Sequence, residues 1–534
     1  MTCRLFQFVL LAASLVCVSP LALFAQQDSV LPVSGRCVIC HNNLKTAKGQ
    51  DVSIGTAWSA SIMANAARDP YWQGSVRRET LDHPAASAVI QNECAACHMP
   101  VQFYADKAAG HETEVFSRLP LGAHADVESS ADGVACSVCH EAQPRSLGTP
   151  DSYNGNLVFT PSAQEKNTLF GPYPASARAT AIHTAVSKLT TAQSDHLRQA
   201  GLCGSCHTLY TPTLDAAGKP AGKFPEQMVY IEWLHSDYRD KQDCQQCHMP
   251  AVADPAPVAA LGSPAHDGVR LHSFIGANFF LQEMFNTHHD ELAVAATPAA
   301  LTTASAETRA FLQSQAAKLS ISDPALASGK ISFAVTVQNL TGHKLPTAYP
   351  SRRAWLHVTV ADASRKVIFE SGKLNADGSI TGNANDADPG KYSPHYAAIT
   401  APDQVEIYEP ILGDGQDKVT TALLTATHYL KDNRILPTGF DKQTASPDIA
   451  VRGKAADDPA FTGGSATTRY EVPIGSAAGP FRIAVELMYQ PVGFRWAHNL
   501  APYKSDETQH FVSYYDQAAA RSAIDLAHAE STSK

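Results

Sequence analysis

Five times along this chain, two cysteines stand three positions apart with a histidine directly after the second. The units are Cys37-Val-Ile-Cys40-His41, Cys94-Ala-Ala-Cys97-His98, Cys136-Ser-Val-Cys139-His140, Cys203-Gly-Ser-Cys206-His207 and Cys244-Gln-Gln-Cys247-His248. Of the 12 cysteines, only Cys3 and Cys17 fall outside them. Cys-x-x-Cys-His is the attachment signature of c-type haem. Two thiols at this spacing add to the two vinyl groups of one porphyrin, and the adjacent imidazole comes to lie under its iron. Other uses of paired cysteines fit less well. A disulfide framework gives no reason for a histidine after every second cysteine. Zinc ribbons do not require that histidine five times. A thioredoxin-like motif occurs once, beside a βαβ pattern. The expectation is five covalent haem c groups, each attached through the two cysteines of its unit. His41, His98, His140, His207 and His248 are the expected proximal ligands.

Residues 1–25 read as a secretory signal peptide. Arg4 precedes an apolar run from Leu5 to Phe24, and the small Ala25 is followed by polar Gln26-Gln27-Asp28. Cys3 and Cys17 leave with it. Thioether attachment of haem takes place outside the cytoplasm, so a periplasmic or extracellular location is expected. No other stretch is long and apolar enough to span a bilayer. Lys and Arg number 41 against 51 Asp and Glu, a net charge of −10. That balance argues against nucleic acid or anionic lipid as a partner, since both call for basic patches. Redox proteins are the expected partners, and self-association is left open.

A chain of 534 residues exceeds one typical domain. Residues 26–320 hold every haem motif among short helical and loop segments rich in Pro and Gly. Five porphyrins there would supply much of the core themselves. Cys97 and Cys247 lie in a repeated ending, Cys-His-Met-Pro, where the proline is expected to stop the motif helix. Longer helices are expected over about 277–292 and 304–318. Beyond them the texture changes. Lys330–Val337 alternates apolar and polar residues, as a half-buried strand does. Similar runs cover 354–361, 366–370, 404–411 and 481–489. The expected fold class is α+β, a mainly helical and loop multihaem region followed by a β-sandwich-like region over 321–515 and a C-terminal helix or tail over 516–534.

An iron with one protein ligand is open, whereas one with two is a closed electron carrier. Candidates for the second ligand are His83, His111, His124, His183, His196, His235, His266, His272, His288, His289 and His343, with Met63 as a thioether. His272 lies among apolar residues after the last motif. His183 and His196 precede the fourth motif in a stretch of helix formers. His343 sits between Gly342 and Pro346, on a turn that could aim it out of a sheet. Met63 reads equally as core packing. Two weaker features lie further on. Asn383-Ala-Asn-Asp-Ala-Asp388 concentrates oxygens and is a candidate calcium loop, although its spacing is not that of an EF-hand. Arg352-Arg353 could neutralise haem propionates.

The five motifs, the two Cys-His-Met-Pro endings, Met63-Ala-Asn-Ala-Ala-Arg-Asp-Pro70, Leu202-Cys-Gly-Ser-Cys-His-Thr-Leu-Tyr210 and Gly342-His-Lys-Leu-Pro-Thr-Ala-Tyr-Pro-Ser-Arg-Arg353 carry a resemblance. The sequence resembles the extracytoplasmic multihaem cytochromes c, and within them the long bacterial members with a β-rich C-terminal region. The resemblance implies mostly six-coordinate haem and electron transfer between extracytoplasmic partners. Multihaem nitrite reductases belong to the wider group. Their catalytic haem commonly has Lys where the motif has His, and all five motifs here end in His. An oxidoreductase with one open haem, acting on a small nitrogen or sulfur compound, is the alternative. A third expectation is an assembly in which haem chains continue from subunit to subunit.

Overall fold

The computed structural model describes residues 31–533 apart from 122–126, 160–166 and 216–217. The signal-peptide reading, Cys3, Cys17 and His124 lie outside the described residues. The architecture is α+β.

Short helices carry the motifs, among them Ser87–His98, Cys136–His140 and Cys244–His248. One helical turn suits the chemistry: residues three and four apart share a face, so both thiols and the imidazole of a unit point the same way. Helix Ser87–His98 stops before Pro100, whose ring cannot continue it, and Pro100 opens the next helix, Pro100–Ala108. The helix expected over 277–292 is Phe279–Thr287, and the one expected over 304–318 is Pro298–Gln315, which starts earlier because Thr297 caps it through Ala300 N–H.

The C-terminal part is built on two sheets. In one, strand Lys330–Asn339 pairs antiparallel with Ser465–Pro473 and with Ala317–Ile321. In the other, Arg353–Ala361 lies between Val367–Ser371 and Arg482–Gln490. Strict alternation along Lys330–Asn339 turns Ile331, Phe333, Val335 and Val337 inward. They meet Leu356, Val358, Ile483, Val485 and Leu487 of the other sheet. Fully burying each such side chain stabilises by roughly 1.5–3 kcal/mol. Phe280 and Phe285, with Leu301 and Leu312, join the same core from the two preceding helices. The sandwich is therefore packed onto the haem-motif region through a shared apolar interior.

Two expectations are corrected here. The segment 516–534 is not a helix or tail. Helix Asp506–Ala518 ends early in it, and Ile524–Thr532 is a strand paired antiparallel with Arg482–Gln490. Only Ile524 and Leu526 are buried along that strand, so its apolar alternation is too short to announce it. The sheet edge it pairs with supplies the rest. The oxygens of the candidate calcium loop are also engaged. Asp386 accepts from Arg353 at 2.7 Å and from Ile380 N–H at 2.8 Å, Asn383 accepts from Asn385 N–H, and Asp388 accepts from Gly390 N–H. These contacts close a turn and leave calcium no set of free carboxylates. The same buried ion pair takes Arg353 into the core, off the wall of the cavity that the motifs line.

Candidate functional site

A cavity of about 2120 Å³ runs between the motif helices and the sandwich. A pocket for one drug-sized ligand takes roughly 300–1,000 Å³, so this one has room for several large groups. All ten motif cysteines and all five motif histidines line it, together with His183, His272, His343, Met63 and Arg352. All ten cysteines are free thiols.

The ring nitrogens are arranged for metal binding. Nδ1 of His41 faces Val258 O at 2.6 Å, that of His140 faces Phe170 O at 2.7 Å, and that of His248 faces Ile275 O at 2.5 Å. Nδ1 of His98 is 3.0 Å from Ala66 O. A carbonyl only accepts, so each Nδ1 carries the proton and each Nε2 keeps a lone pair for a metal. His272 and His343 are held the same way, by Arg270 O at 3.1 Å and Lys344 O at 2.9 Å. Burial pushes His98, His207, His272 and His343 down to about 4, which keeps their rings neutral as ligation requires.

Three motif histidines face a second histidine across the cavity. His41 and His183 have ring centroids 6.0 Å apart, His140 and His272 6.3 Å, and His248 and His343 6.3 Å. Two imidazoles bound end-on to one metal, each through nitrogen at about 2 Å, place their centroids roughly 6 Å apart. The members of each pair are 23°, 18° and 19° from coplanar. The residues present therefore fit bis-imidazole haem at the first, third and fifth motifs.

Among the described residues, neither His98 nor His207 makes a ring contact with a second histidine, although the charges of His248 and His343 reach His207. His98 stacks instead on Trp72, 4.4 Å away and within 3° of parallel. The wall nearby is acidic and polar. Burial raises Glu79 to about 7 and Asp69 to about 6, and Glu79 Oε2 and Trp72 Nε1 lack partners. Tyr71 and Tyr349 meet edge to face at 5.7 Å. Of the remaining candidates, His83 ends helix Pro70–Asp82 away from the cavity wall, and His196 bonds Ser194 Oγ at 2.7 Å and lies edge-on to Phe170. Met63 lines the cavity, and its carbonyl accepts from Val134 N–H. Sequence reasoning missed Trp72, Glu79 and Tyr349, and no spacing marks them. It also missed the carbonyls that orient the histidines, because any residue type supplies a carbonyl.

The motifs touch one another in a definite order. The Cys37 thiol adjoins that of Cys136, Cys97 that of Cys206, and Cys203 that of Cys244, near enough for each to perturb its neighbour's ionisation. Cys139 stands close enough to Cys203 and Cys206 to raise both thiols by its charge. Backbone contacts repeat the order. Ser34 Oγ accepts from Cys136 N–H, Gly155 N–H donates to Ser205 O beside Cys97, and Asp243 accepts from Ala200 N–H. The fourth motif thus adjoins the second, third and fifth, and the first adjoins the third.

A penta-heme cytochrome c552 from Thermochromatium tepidum is similar in structure, with a TM-score of 0.50 and 17% sequence identity, over 94% of this chain and 99% of that one. The chain has the fold of that cytochrome. No family model matches the sequence, and no curated protein matches it. At this identity the likeness is one of fold, and it spans the motif region and the sandwich together. No helix among the described residues is long and apolar enough to cross a membrane.

Proposed function

We propose that this protein is a c-type cytochrome that carries five covalent haems and relays electrons between redox partners outside the cytoplasm. The three histidine pairs, spaced 6.0–6.3 Å apart in a cavity lined by ten free thiols, carry this reading. Bound haem supplies reversible one-electron cycling of its iron. The chain supplies the rest. The cysteines would fix each group, and backbone carbonyls hold the Nδ1 protons of His41, His98, His140, His248, His272 and His343 and leave their Nε2 free to bind iron. Arg352, which donates to Thr347 O, is a cavity-wall cation suited to a propionate. Intact mass of the mature protein is expected to exceed the polypeptide by five haems, with mainly low-spin ferric signals. Four haems or fewer on fully matured protein would overturn the count.

One observation favours a second reading. His98 makes no ring contact with a second histidine among the described residues and stacks on Trp72, and buried carboxyl and phenol groups share its wall of the cavity. That arrangement supports an oxidoreductase with an open haem acting on a small nitrogen or sulfur compound. Stoichiometric cyanide binding with a high-spin resting signal would select this reading, and uniform low-spin iron would reject it.

A further inference from the structure

The three most exposed large apolar residues in the described chain are Ile39 at 78%, Val186 at 70% and Leu261 at 62%, and the next is Val367 at 51%. All three converge on the first motif. Ile39 lies inside it. Val186 follows His183 by one helical turn, on the helix Ala177–Ser187. Leu261 follows Ala260, whose N–H donates to Cys40 O at 2.8 Å, in the loop whose Val258 carbonyl holds His41. Val186 and Leu261 stand at the mouth of the cavity.

The charge around this tip reverses that of the molecule, which is −10 overall. Arg36, Arg178 and Lys188 are exposed beside it, and the Arg178 guanidinium reaches over Gly262. Of the carboxylates nearby, Asp254 is engaged by Lys48 at 2.7 Å and Asp51 by Ser53 and the charge of Lys45, burial raises Asp132 and Glu141 beside Cys37, and Asp267 stays exposed. Among the described residues the first motif is also an end of this order, adjoining the third.

We propose that the face formed by Ile39, Val186 and Leu261 is an electron-exchange port that docks a redox protein with an acidic surface around its own cofactor. The inference rests on the electron-relay reading. The apolar tip would exclude water where the first motif comes to the surface, and the cations would steer an acidic partner onto it.

The probe is a reduced acidic ferredoxin, mixed with the oxidised holoprotein in stopped flow. Photoreduced flavin, a small reductant needing no docking face, serves in parallel. Reduction by ferredoxin is expected to slow steeply with added salt. It should fall about tenfold or more in Ile39→Glu/Leu261→Glu and in Arg36→Glu/Arg178→Glu. Flavin should reduce all variants at the wild-type rate, which also shows that they are folded and loaded. Ferredoxin rates indifferent to salt, or unchanged in both variants, would overturn the port while leaving the relay intact. Failure of flavin to reduce the wild-type protein would instead overturn the relay.

Discussion

Replacing Asp432 by alanine strips the counter-ion from a lysine with no access to water. Lys344 Nζ lies 2.6 Å from Asp432 Oδ2, and the two side chains are 0% and 1% exposed. Arg434 reaches the same carboxylate at 2.8 Å but also binds Glu232 at 3.0 Å, so it keeps a partner when Asp432 is lost. The loss falls mainly on Lys344. Removing one member of a buried pair costs about 3–5 kcal/mol, because the remaining charge has neither water nor a partner. Replacing both members with apolar residues of similar volume is often close to neutral. Asp432→Ala is therefore expected to lose about 4 kcal/mol in chemical denaturation followed by far-ultraviolet circular dichroism. Lys344→Met/Asp432→Leu should stay within about 1 kcal/mol of the parent. Lys344 follows His343, and Glu232, on the motif-region helix Val229–Leu234, accepts its backbone N–H at 3.1 Å. The single variant should therefore also broaden the low-spin signal of one haem. A loss below about 1 kcal/mol, or a double variant as unstable as the single one, would refute the reasoning.

His343→Ala should convert one low-spin haem to high-spin or recruit a substitute ligand, read by paramagnetic resonance; five unchanged signals would show that the ring is not axial. Gly155 sits at φ +71°, and an added Cβ would lie 3.2 Å from Cys97 Sγ. Gly155→Ala should cost about 1–2 kcal/mol in backbone strain, and peptide mass analysis should show incomplete haem attachment at Cys97. Burial alone would push the ring of His395 down, but Glu406 at 2.7 Å and Asp458 at 2.9 Å outweigh it and raise the ring above its ordinary value. Its stabilising contribution is therefore complete below about pH 6.5 and is lost as pH rises through the higher folded value. Melting temperature should fall over that range in the parent and stay flatter in His395→Gln.

The α+β class was legible because two periodicities stand side by side in the sequence. Lys330–Asn339 alternates cleanly, and the structure buries every second residue. The strand at Ile524–Thr532 was not legible, since its partner strand provides what its own side chains do not. At the site, the motif residues announce themselves by spacing, and His183, His272 and His343 stood on the candidate list. Which of them would face which motif histidine was hidden, because pairing is set by the tertiary path rather than by local pattern. His196 looked as suitable as His183, but only the packing of helix Ala177–Ser187 brings one of the two opposite His41. Asn383–Asp388 misled for a related reason: the cation that occupies Asp386 is a guanidinium from a distant strand.

The three facing histidine pairs interlock along the chain like overlapping brackets. The span from His41 to His183 encloses His140, and the span from His140 to His272 encloses His183 and His248. The last span opens at His248, before the second has closed, and ends at His343 inside the sandwich. A cut anywhere between the first and last of these residues separates the members of at least one pair. The motif region therefore cannot be divided into smaller units that each keep their facing histidines together, and it cannot be released from the sandwich without parting His248 from His343. Shortening such a chain by deletion, or building it up from single-haem pieces, would have to preserve all three crossings at once.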